Sequence, residues 1–202
     1  MLDTENITTV SCLLPDIMGF IFYPPSARYV GENFVASIAK GIQKAGVFVN
    51  VSLNELEAVA ERNLLDVVQL HGDETPEYCK ALQDSGYQVW KVFAVGDTMN
   101  HQKMEKYLPF IDAFLFDSLS PERGGSGKRF DWQLLYDYPF EHPFYLSGGI
   151  GPEDVQTILK LQIPYLEGID LNSRFETSAG IKNIQTLKIF IDEIRSTSLS
   201  SQ

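Results

Sequence analysis

The sequence is poor in cysteine, which limits the kinds of site that it can build. Its 202 residues include two cysteines, Cys12 and Cys79, whose positions fit no CxxC motif and no metal-ligand spacing. A lone pair is also a poor disulfide framework, so both are predicted to be free thiols, as is usual in the cytoplasm. No metal site is therefore implied.

Long hydrophobic runs and a leader peptide are missing as well. No apolar run approaches the length that spans a bilayer. The first twenty residues have no cationic region, and Asp3, Glu5 and Asp16 interrupt their apolar positions, which argues against a signal peptide. We expect a cytoplasmic protein that does not enter a membrane.

Positive charge is scarce, with 16 Lys and Arg residues against 27 Asp and Glu and a formal net charge of −11. Such a charge repels a phosphate backbone, so no nucleic-acid partner is expected. An anionic small molecule would need a locally built site, made by an arginine or by backbone N–H groups at a helix start.

What the sequence does contain is a regular series of apolar, β-rich segments. Most are apolar almost throughout, as in strands covered on both faces, and their starts lie roughly 21 to 31 residues apart. The predicted strands are Ile17–Tyr23, Gly46–Asn50, Val67–Gly72, Val89–Val95, Ala113–Ser118, Phe144–Ile150 and Gly168–Arg174.

Helical patterns alternate with these strands, which indicates repeated βα units and a parallel sheet. Ser52 is predicted to cap one helix, and Pro76 and Pro152 fall in first helical turns, where proline is favoured. The predicted helices are Asp3–Leu13, Asn33–Lys44, Leu53–Arg62, Thr75–Ser85, Thr98–Tyr107, Asp131–Tyr136, Pro152–Leu161 and Asn183–Ser196.

The count of elements predicts the architecture. Seven strands and eight helices indicate an α/β fold, a TIM (β/α)₈-type barrel with its first β-strand missing from the sequence, because such a barrel closes with eight strands. We expect a single barrel domain over residues 1–202, with residues 196–202 as a frayed tail and the missing strand upstream of Met1. Ile17–Tyr23 and Gly168–Arg174 would then be unpaired edges that something must cover.

Two strand ends have residues suited to phosphate, and in parallel α/β folds sites lie at the carboxyl ends of strands. Gly148 and Gly149 lie in the run SGGIGPEDV, which leads into a helix, and Asn172, Ser173 and Arg174 close the next strand. Glycines let the backbone approach a phosphate, and a helix start supplies N–H donors. A tight βα turn with no ligand is the alternative.

Other polar residues are expected at the same edge. Asp117 ends an apolar strand, where a carboxyl group partly removed from water suits a general acid, although it could equally cap the next turn. Arg28 follows a proline-stiffened loop and is either a carboxylate ligand or a solvated surface residue. His71 is either a base or a structural histidine. The glycine-rich run Gly124–Trp132 is either a mobile loop over the site or a solvated turn, and it lacks P-loop spacing.

Together these segments resemble the phosphoribosylanthranilate isomerase family of tryptophan biosynthesis. The resemblance covers nearly the whole chain in the family's order, in the segments GFIFYPPSARYV, GVFVN, VVQLHGDE, FDS, GGSGKRFDW, LSGGIGPEDV and GIDLNSRFE. It implies an Amadori rearrangement that needs an acid and a base but no cofactor, in a monomer or homodimer that acts on a small molecule.

The resemblance also implies roles for particular residues. Asp117 would be the general acid and Arg28 the contact to the anthranilate carboxylate, with His71 and Asp170 as further substrate-binding residues. Phosphate would lie against the two loops described above, Gly148–Gly149 and Asn172–Arg174. In place of the serine-serine-glycine run of many members, this chain has Asn172-Ser173-Arg174, so Arg174 either adds charge to the phosphate site or points outward.

The general base is the main departure from the family pattern. The family's cysteine lies in a Lys-Val/Ile-Cys-Gly run on the first strand, and this chain begins just past that run, so neither Cys12 nor Cys79 matches it. The resemblance therefore implies that the chain as written is inactive or nearly so. One alternative is a related phosphate-binding barrel enzyme, either a sugar-phosphate epimerase or indole-glycerol-phosphate synthase. The synthase would need lysines and glutamates at strand ends, and only Lys91 lies suitably within a strand. The other alternative is a non-catalytic phosphate-binding protein.

Overall fold

A computed structural model of the chain describes residues 1–35, 37–119 and 129–199, with side chains described up to residue 196. Within these ranges, seven parallel strands form one sheet in sequential order, so that β1 and β7 are its edges. The count and the order agree with the prediction. The strands are β1 (Ile17–Ile21), β2 (Gln43–Phe48), β3 (Val67–Leu70), β4 (Gln88–Val95), β5 (Ala113–Ser118), β6 (Phe144–Leu146) and β7 (Leu166–Ile169).

Helices and short 3₁₀ turns connect the strands. The cap predicted at Ser52 is formed, since its hydroxyl accepts from the N–H of Glu55, and Thr75 caps the helix that begins at Pro76. The helices are α1 (Thr4–Ser11), α2 (Leu53–Asn63), α3 (Pro76–Asp84), α4 (His101–Glu105), α5 (Val155–Leu159) and α6 (Ile184–Leu199). Short 3₁₀ helices occupy Leu108–Phe110, Trp132–Asp137, Pro152–Asp154 and Ser173–Phe175.

The helix predicted over Asn33–Lys44 is wrong. The described residues of that stretch, all except Ala36, form turns and then the start of β2. Residues 43–47 pair in parallel register with Ile17–Ile21 of β1, a long-range contact that overrides the local helical pattern. The stretch expected to fray is helical as far as Leu199. Residues 200–202, and residues 124–128 of the predicted loop Gly124–Trp132, lie outside the described residues.

Alternation along the strands divides the core into two layers. Ala113 and Leu115 of β5 pack with Trp90 and Val92 of β4 in a small cluster on the concave face of the sheet. Phe114 and Phe116 point the other way, into the large cluster shared with the helices. Because side chains alternate between faces, Asp117 lies on the same concave face as Leu115.

A two-stranded hairpin follows β7 and was not predicted. Its strands are β8 (Glu176–Ser178) and β9 (Ile181–Lys182), which pair antiparallel. The backbone N–H of Leu2 donates to the carbonyl of Gly180 at 3.0 Å, and Met1 is buried. The first residues of the chain therefore pack against this hairpin, as expected if they help to cover the open sheet. Among the described residues, no helix is both long and apolar enough to cross a membrane.

Candidate active site

Polar side chains gather at the carboxyl ends of the strands, on the concave face of the sheet. His71 follows β3 in step with Val67, Asp117 lies near the end of β5, and Ser147 and Asp170 follow β6 and β7. Below them, the buried cluster on the same face is apolar, apart from the neutral amide of Gln69 in β3. The structure thus brings together side chains that were chosen from separate segments of the sequence.

Asp117 and His71 form a close pair. Nε2 of His71 lies 3.4 Å from Oδ2 of Asp117, and their side chains are 19% and 14% exposed. The other carboxylate oxygen of Asp117 accepts from the backbone N–H of Ser118 at 2.8 Å. One oxygen is therefore bound by the backbone, while the other faces an imidazole that can hold or exchange its proton.

Asp170 forms a second carboxyl group in the same cluster. The hydroxyl of Ser147 donates to its Oδ2 at 3.1 Å. Burial raises the pKa of Asp170, and the nearby charge of Asp117 raises it further, whereas Lys182 and His71 act in the opposite direction. Asp170 thus keeps its proton to a higher pH than an ordinary aspartate.

The glycine loop after β6 lies directly against Asp117. Gly148 and Gly149 have φ of +85° and +72°, a backbone region in which residues other than glycine are strained. A Cβ added to Gly148 would come within 2.5 Å of the Ser118 nitrogen and 2.8 Å of Asp117 Oδ1. A glycine is therefore required at position 148 for the close approach of this loop to Asp117.

At the start of the following helix, a backbone N–H group is already bound by a side chain of the protein. The N–H of Gly151 donates to Oδ2 of Asp154 at 2.8 Å, so that donor is not free for a phosphate. Asp154 is buried and forms an ion pair with Arg129, whose guanidinium lies 5.2 Å from the Trp132 ring centroid. The Arg129–Asp154 pair was not predicted from the sequence, although both residues lie within identified motifs, GGSGKRFDW and SGGIGPEDV.

Arg174 forms an ion pair with a residue of the neighbouring loop. Its Nη2 lies 2.6 Å from Oε1 of Glu153, in the segment after the glycine loop, and a Cβ on Gly151 would come within 2.8 Å of Arg174 Nε. The loops after β6 and β7 are therefore neighbours, as a shared phosphate site requires. Arg174 itself is 39% exposed and neutralised by Glu153.

Arg28 is bound by a residue that was not predicted. Its Nε and Nη2 donate to both carboxylate oxygens of Glu176, at 2.7 to 3.1 Å. Lys182 donates from its Nζ to Glu176 Oε1 at 3.1 Å and to Asn172 Oδ1 at 2.9 Å. The hairpin thus joins the predicted carboxylate ligand to the predicted phosphate loop.

Lys91 and the two cysteines lie away from this cluster. Lys91 is on the helix-facing side of β4, where its Nζ donates to the carbonyl of Gly72 at 2.8 Å and to Glu74 at 3.1 Å. Cys12 is exposed near the end of α1, and Cys79 is buried in α3, where burial raises its pKa to about 12. The strand lysine that indole-glycerol-phosphate synthase would need is thus turned away from the concave face.

In the part of the chain that the structure describes, no three His, Cys, Asp or Glu side chains are grouped to hold a metal.

Comparison with known protein families gives a match over almost the whole chain. The family described as N-(5'-phosphoribosyl)anthranilate (PRA) isomerase matches residues 1–193. The chain belongs to this family.

Curated relatives and solved structures agree with the family assignment. The N-(5'-phosphoribosyl)anthranilate isomerase of Parabacteroides distasonis is 42% identical over 199 residues, covering 96% of this chain and 90% of that protein. The enzyme of that name from Phocaeicola vulgatus is 38% identical, covering 96% and 95%. The crystal structure of the isomerase from Thermotoga maritima has a TM-score of 0.80 at 31% identity, covering 97% of this chain and 96% of that one.

One further isomerase structure contains a ligand. It is a complex with reduced 1-(o-carboxyphenylamino)-1-deoxyribulose 5-phosphate, and it matches with a TM-score of 0.77 at 28% identity over 97% of this chain and 95% of that one. The family's chains therefore share the present fold along almost their full length.

Proposed function

We propose that this chain is an isomerase of tryptophan biosynthesis that rearranges N-(5'-phosphoribosyl)anthranilate to 1-(2-carboxyphenylamino)-1-deoxyribulose 5-phosphate. The observation that supports it best is the close approach of the glycine-rich Gly148 loop to the carboxyl group of Asp117, in a chain of this family. The reaction consists of proton transfers, so an acid and a base suffice and no cofactor is needed.

Asp117 is proposed as the general acid. It donates a proton to the furanose ring oxygen, the C1–O bond breaks, and the nitrogen lone pair forms the Schiff base. A base then takes the C2 proton to give the enolamine, which tautomerises to the ketone. His71, 3.4 Å from Asp117, can hold the acid in place, and Asp170, which burial keeps protonated to a higher pH, can hydrogen-bond a sugar hydroxyl.

The substrate's two anionic ends are assigned to opposite loops. Arg28 is proposed to bind the anthranilate carboxylate, since guanidinium groups match carboxylates. Phosphate is assigned to Gly148 and Gly149 and to the segment Asn172–Arg174, whose neighbouring positions support a shared site. Local sites of this kind are needed because the chain as a whole has a net charge of −11.

Residues 1–202 supply no thiolate base at this site. Cys12 is exposed on the surface, and the pKa of Cys79, raised to about 12, keeps that buried thiol protonated at neutral pH. We propose that residues 1–202 bind the substrate but convert it slowly. Binding without conversion would instead be the property of a non-catalytic phosphate-binding barrel. We further propose a monomer or homodimer in the cytoplasm, where free thiols such as these stay reduced.

The first experiment measures binding, which needs no base. Isothermal titration of residues 1–202 with reduced 1-(o-carboxyphenylamino)-1-deoxyribulose 5-phosphate should show one site. Arg28→Ala should weaken binding about tenfold or more, because a charge-assisted hydrogen bond is lost. Asp112→Asn is the control, since Asp112 lies just before β5, at the opposite end of the strand from Asp117. No detectable binding by the wild-type chain would refute the proposal.

The second experiment measures turnover. General acid–base groups contribute about 10²- to 10⁴-fold each, so residues 1–202 should be slower than the Parabacteroides distasonis relative by about that factor. Adding an upstream strand that contains Lys-Val-Cys-Gly should raise the rate, whereas the same strand with serine in place of the cysteine should not. A family-like rate from residues 1–202 alone would contradict the assignment of the base.

A further inference from the structure

A group of buried charges spans the open side of the sheet. Arg28 lies in the loop after β1, and Asn172 lies in the loop after β7, so they follow the two edges of the seven-stranded sheet. Glu176 and Lys182 of the hairpin connect them. We call these four residues, Arg28, Asn172, Glu176 and Lys182, the seam network.

Each contact in the seam network has good hydrogen-bond geometry. Arg28 donates from Nε to Oε1 of Glu176 at 3.1 Å and from Nη2 to Oε2 at 2.7 Å, in a bidentate contact. From the other side of Glu176, Nζ of Lys182 reaches Oε1 at 3.1 Å and also binds the carbonyl oxygen and side-chain oxygen of Asn172. Glu176 and Lys182 are directly paired across the hairpin, so their separation is fixed by the backbone.

The charges of the seam network are largely removed from water. The side chains of Glu176, Lys182 and Arg28 are 4%, 9% and 17% exposed. Ionic groups at such depth keep one geometry, because losing a partner leaves an unpaired charge. The ion pair with Glu176 uses Nε and Nη2 of Arg28 and does not involve Nη1, the third nitrogen of the guanidinium.

The hairpin itself is anchored to the body of the protein. Asn6 of α1 accepts from the Lys182 N–H and donates to its carbonyl, both at 2.9 Å. Lys182 also acts electrostatically on Asp170. The seam network therefore borders the acidic cluster and rests on a fixed support.

We propose that Glu176 and Lys182 are positioning residues that set the two anion-binding ends of the substrate site. Glu176 holds the Arg28 guanidinium through Nε and Nη2 so that the Nη1 edge is directed to the substrate carboxylate, and Lys182 holds the Asn172 loop against which the phosphate lies. This inference rests on the proposed function, because it presupposes a ligand with a carboxylate and a phosphate.

A purely structural role makes a different prediction. If the seam network only held the sheet edges together, its loss would weaken every ligand alike. If Glu176 acts through Arg28, its removal should matter only for ligands that have the carboxylate. Two probes separate these roles: reduced 1-(o-carboxyphenylamino)-1-deoxyribulose 5-phosphate and its counterpart without the ring carboxylate.

The experiment titrates both probes into wild type, Glu176→Gln, Arg28→Ala and the double variant. We expect Glu176→Gln to weaken the carboxylate probe about tenfold or more, with less than about twofold change for the other probe. In the Arg28→Ala background, Glu176→Gln should have no further effect. Lys182→Met should weaken both probes, since both have the phosphate, but it should leave the binding of free anthranilate, which lacks the phosphate, unchanged; weaker binding of anthranilate as well would assign Lys182 a structural role only. Asp192→Asn, which removes an exposed ion pair on α6, is the control.

Folding is checked by thermal unfolding of every variant. If Glu176→Gln does not fold, Glu176→Asp, which keeps the charge on a shorter side chain, takes its place with the same expected selectivity. If Glu176→Gln folds, the Glu176→Asp variant should bind the carboxylate probe more tightly than the Glu176→Gln variant does, because aspartate keeps the negative charge. Equal weakening of both probes by Glu176→Gln, or an undiminished effect of Glu176→Gln in the Arg28→Ala background, would overturn the inference while leaving the proposed function intact. Failure of wild type to bind either probe would instead refute the proposed function, and the inference with it.

Discussion

Replacing Gly148 by alanine should damage the rim of the site through two separate effects. The backbone there has φ of +85°, and an L-residue in the left-handed region costs about 1–2 kcal/mol. The new Cβ would also lie 2.5 Å from the backbone nitrogen of Ser118. Because a strand backbone cannot move aside cheaply, this crowding should add about 1–3 kcal/mol, for a total loss of about 2–5 kcal/mol.

Gly86 offers a matched control for the strain alone. It lies just after α3 with φ of +90°, and a Cβ built on it meets nothing within 4 Å. Gly86→Ala should therefore cost only about 1–2 kcal/mol. Urea unfolding of the two variants and the wild type measures the difference, which should be about 1–3 kcal/mol in the direction of a larger loss for Gly148→Ala.

The same pair of variants tests the site. The added methyl group at residue 148 would lie 2.8 Å from Oδ1 of Asp117, so Gly148→Ala should weaken binding of the reduced product analogue, and Gly86→Ala should not. Equal losses of stability in the two variants would refute the close approach of the glycine loop to β5. Unchanged binding by a folded Gly148→Ala variant would refute its place in the site.

Two further predictions concern buried charges. Glu74→Gln should lower the free energy of unfolding by about 3–5 kcal/mol, because it leaves the Lys91 ammonium buried without its counter-ion. Asp84→Asn, at the exposed Lys80–Asp84 pair, is the control and should cost less than about 1 kcal/mol. Similar losses for the two variants in urea unfolding would contradict the burial of Lys91. Because burial and Asp117 raise the pKa of Asp170 above its unfolded value of about 3.9, wild type should lose stability as the pH rises from about 4 through that raised pKa. Asp170→Asn escapes this loss, so its unfolding free energy relative to wild type should increase with pH, and a difference that does not vary with pH would show that Asp170 is not desolvated.

Most of the fold could be predicted from local patterns. The strand at Ala113–Ser118 is apolar almost throughout and was predicted with the observed bounds, because burial on both faces leaves a mark in composition. The cap at Ser52 was predicted for the same local reason. The stretch Asn33–Lys44 could not be, since its end is decided by pairing with β1, a contact that no short window of sequence contains.

The candidate site was predicted less completely than the fold. Asp117, His71 and Asp170 could be proposed because strand ends are local features, and the structure brings the three side chains together. Glu176 and Lys182 were missed because charged residues usually lie in water, and nothing nearby in sequence shows otherwise. Their burial depends on Arg28, which is 148 residues before Glu176.

The sequence by itself determined the family, the order of strands and helices, and which polar residues end the strands, because these follow from residue type and spacing along the chain. Only the tertiary structure decided which of those residues meet. It turned Lys91 away from the concave face, paired Arg174 with Glu153, and enclosed Arg28 in the seam network. These pairings and orientations depend on contacts between segments that are distant in sequence and on the burial of the side chains. Neither can be predicted from a short stretch of sequence.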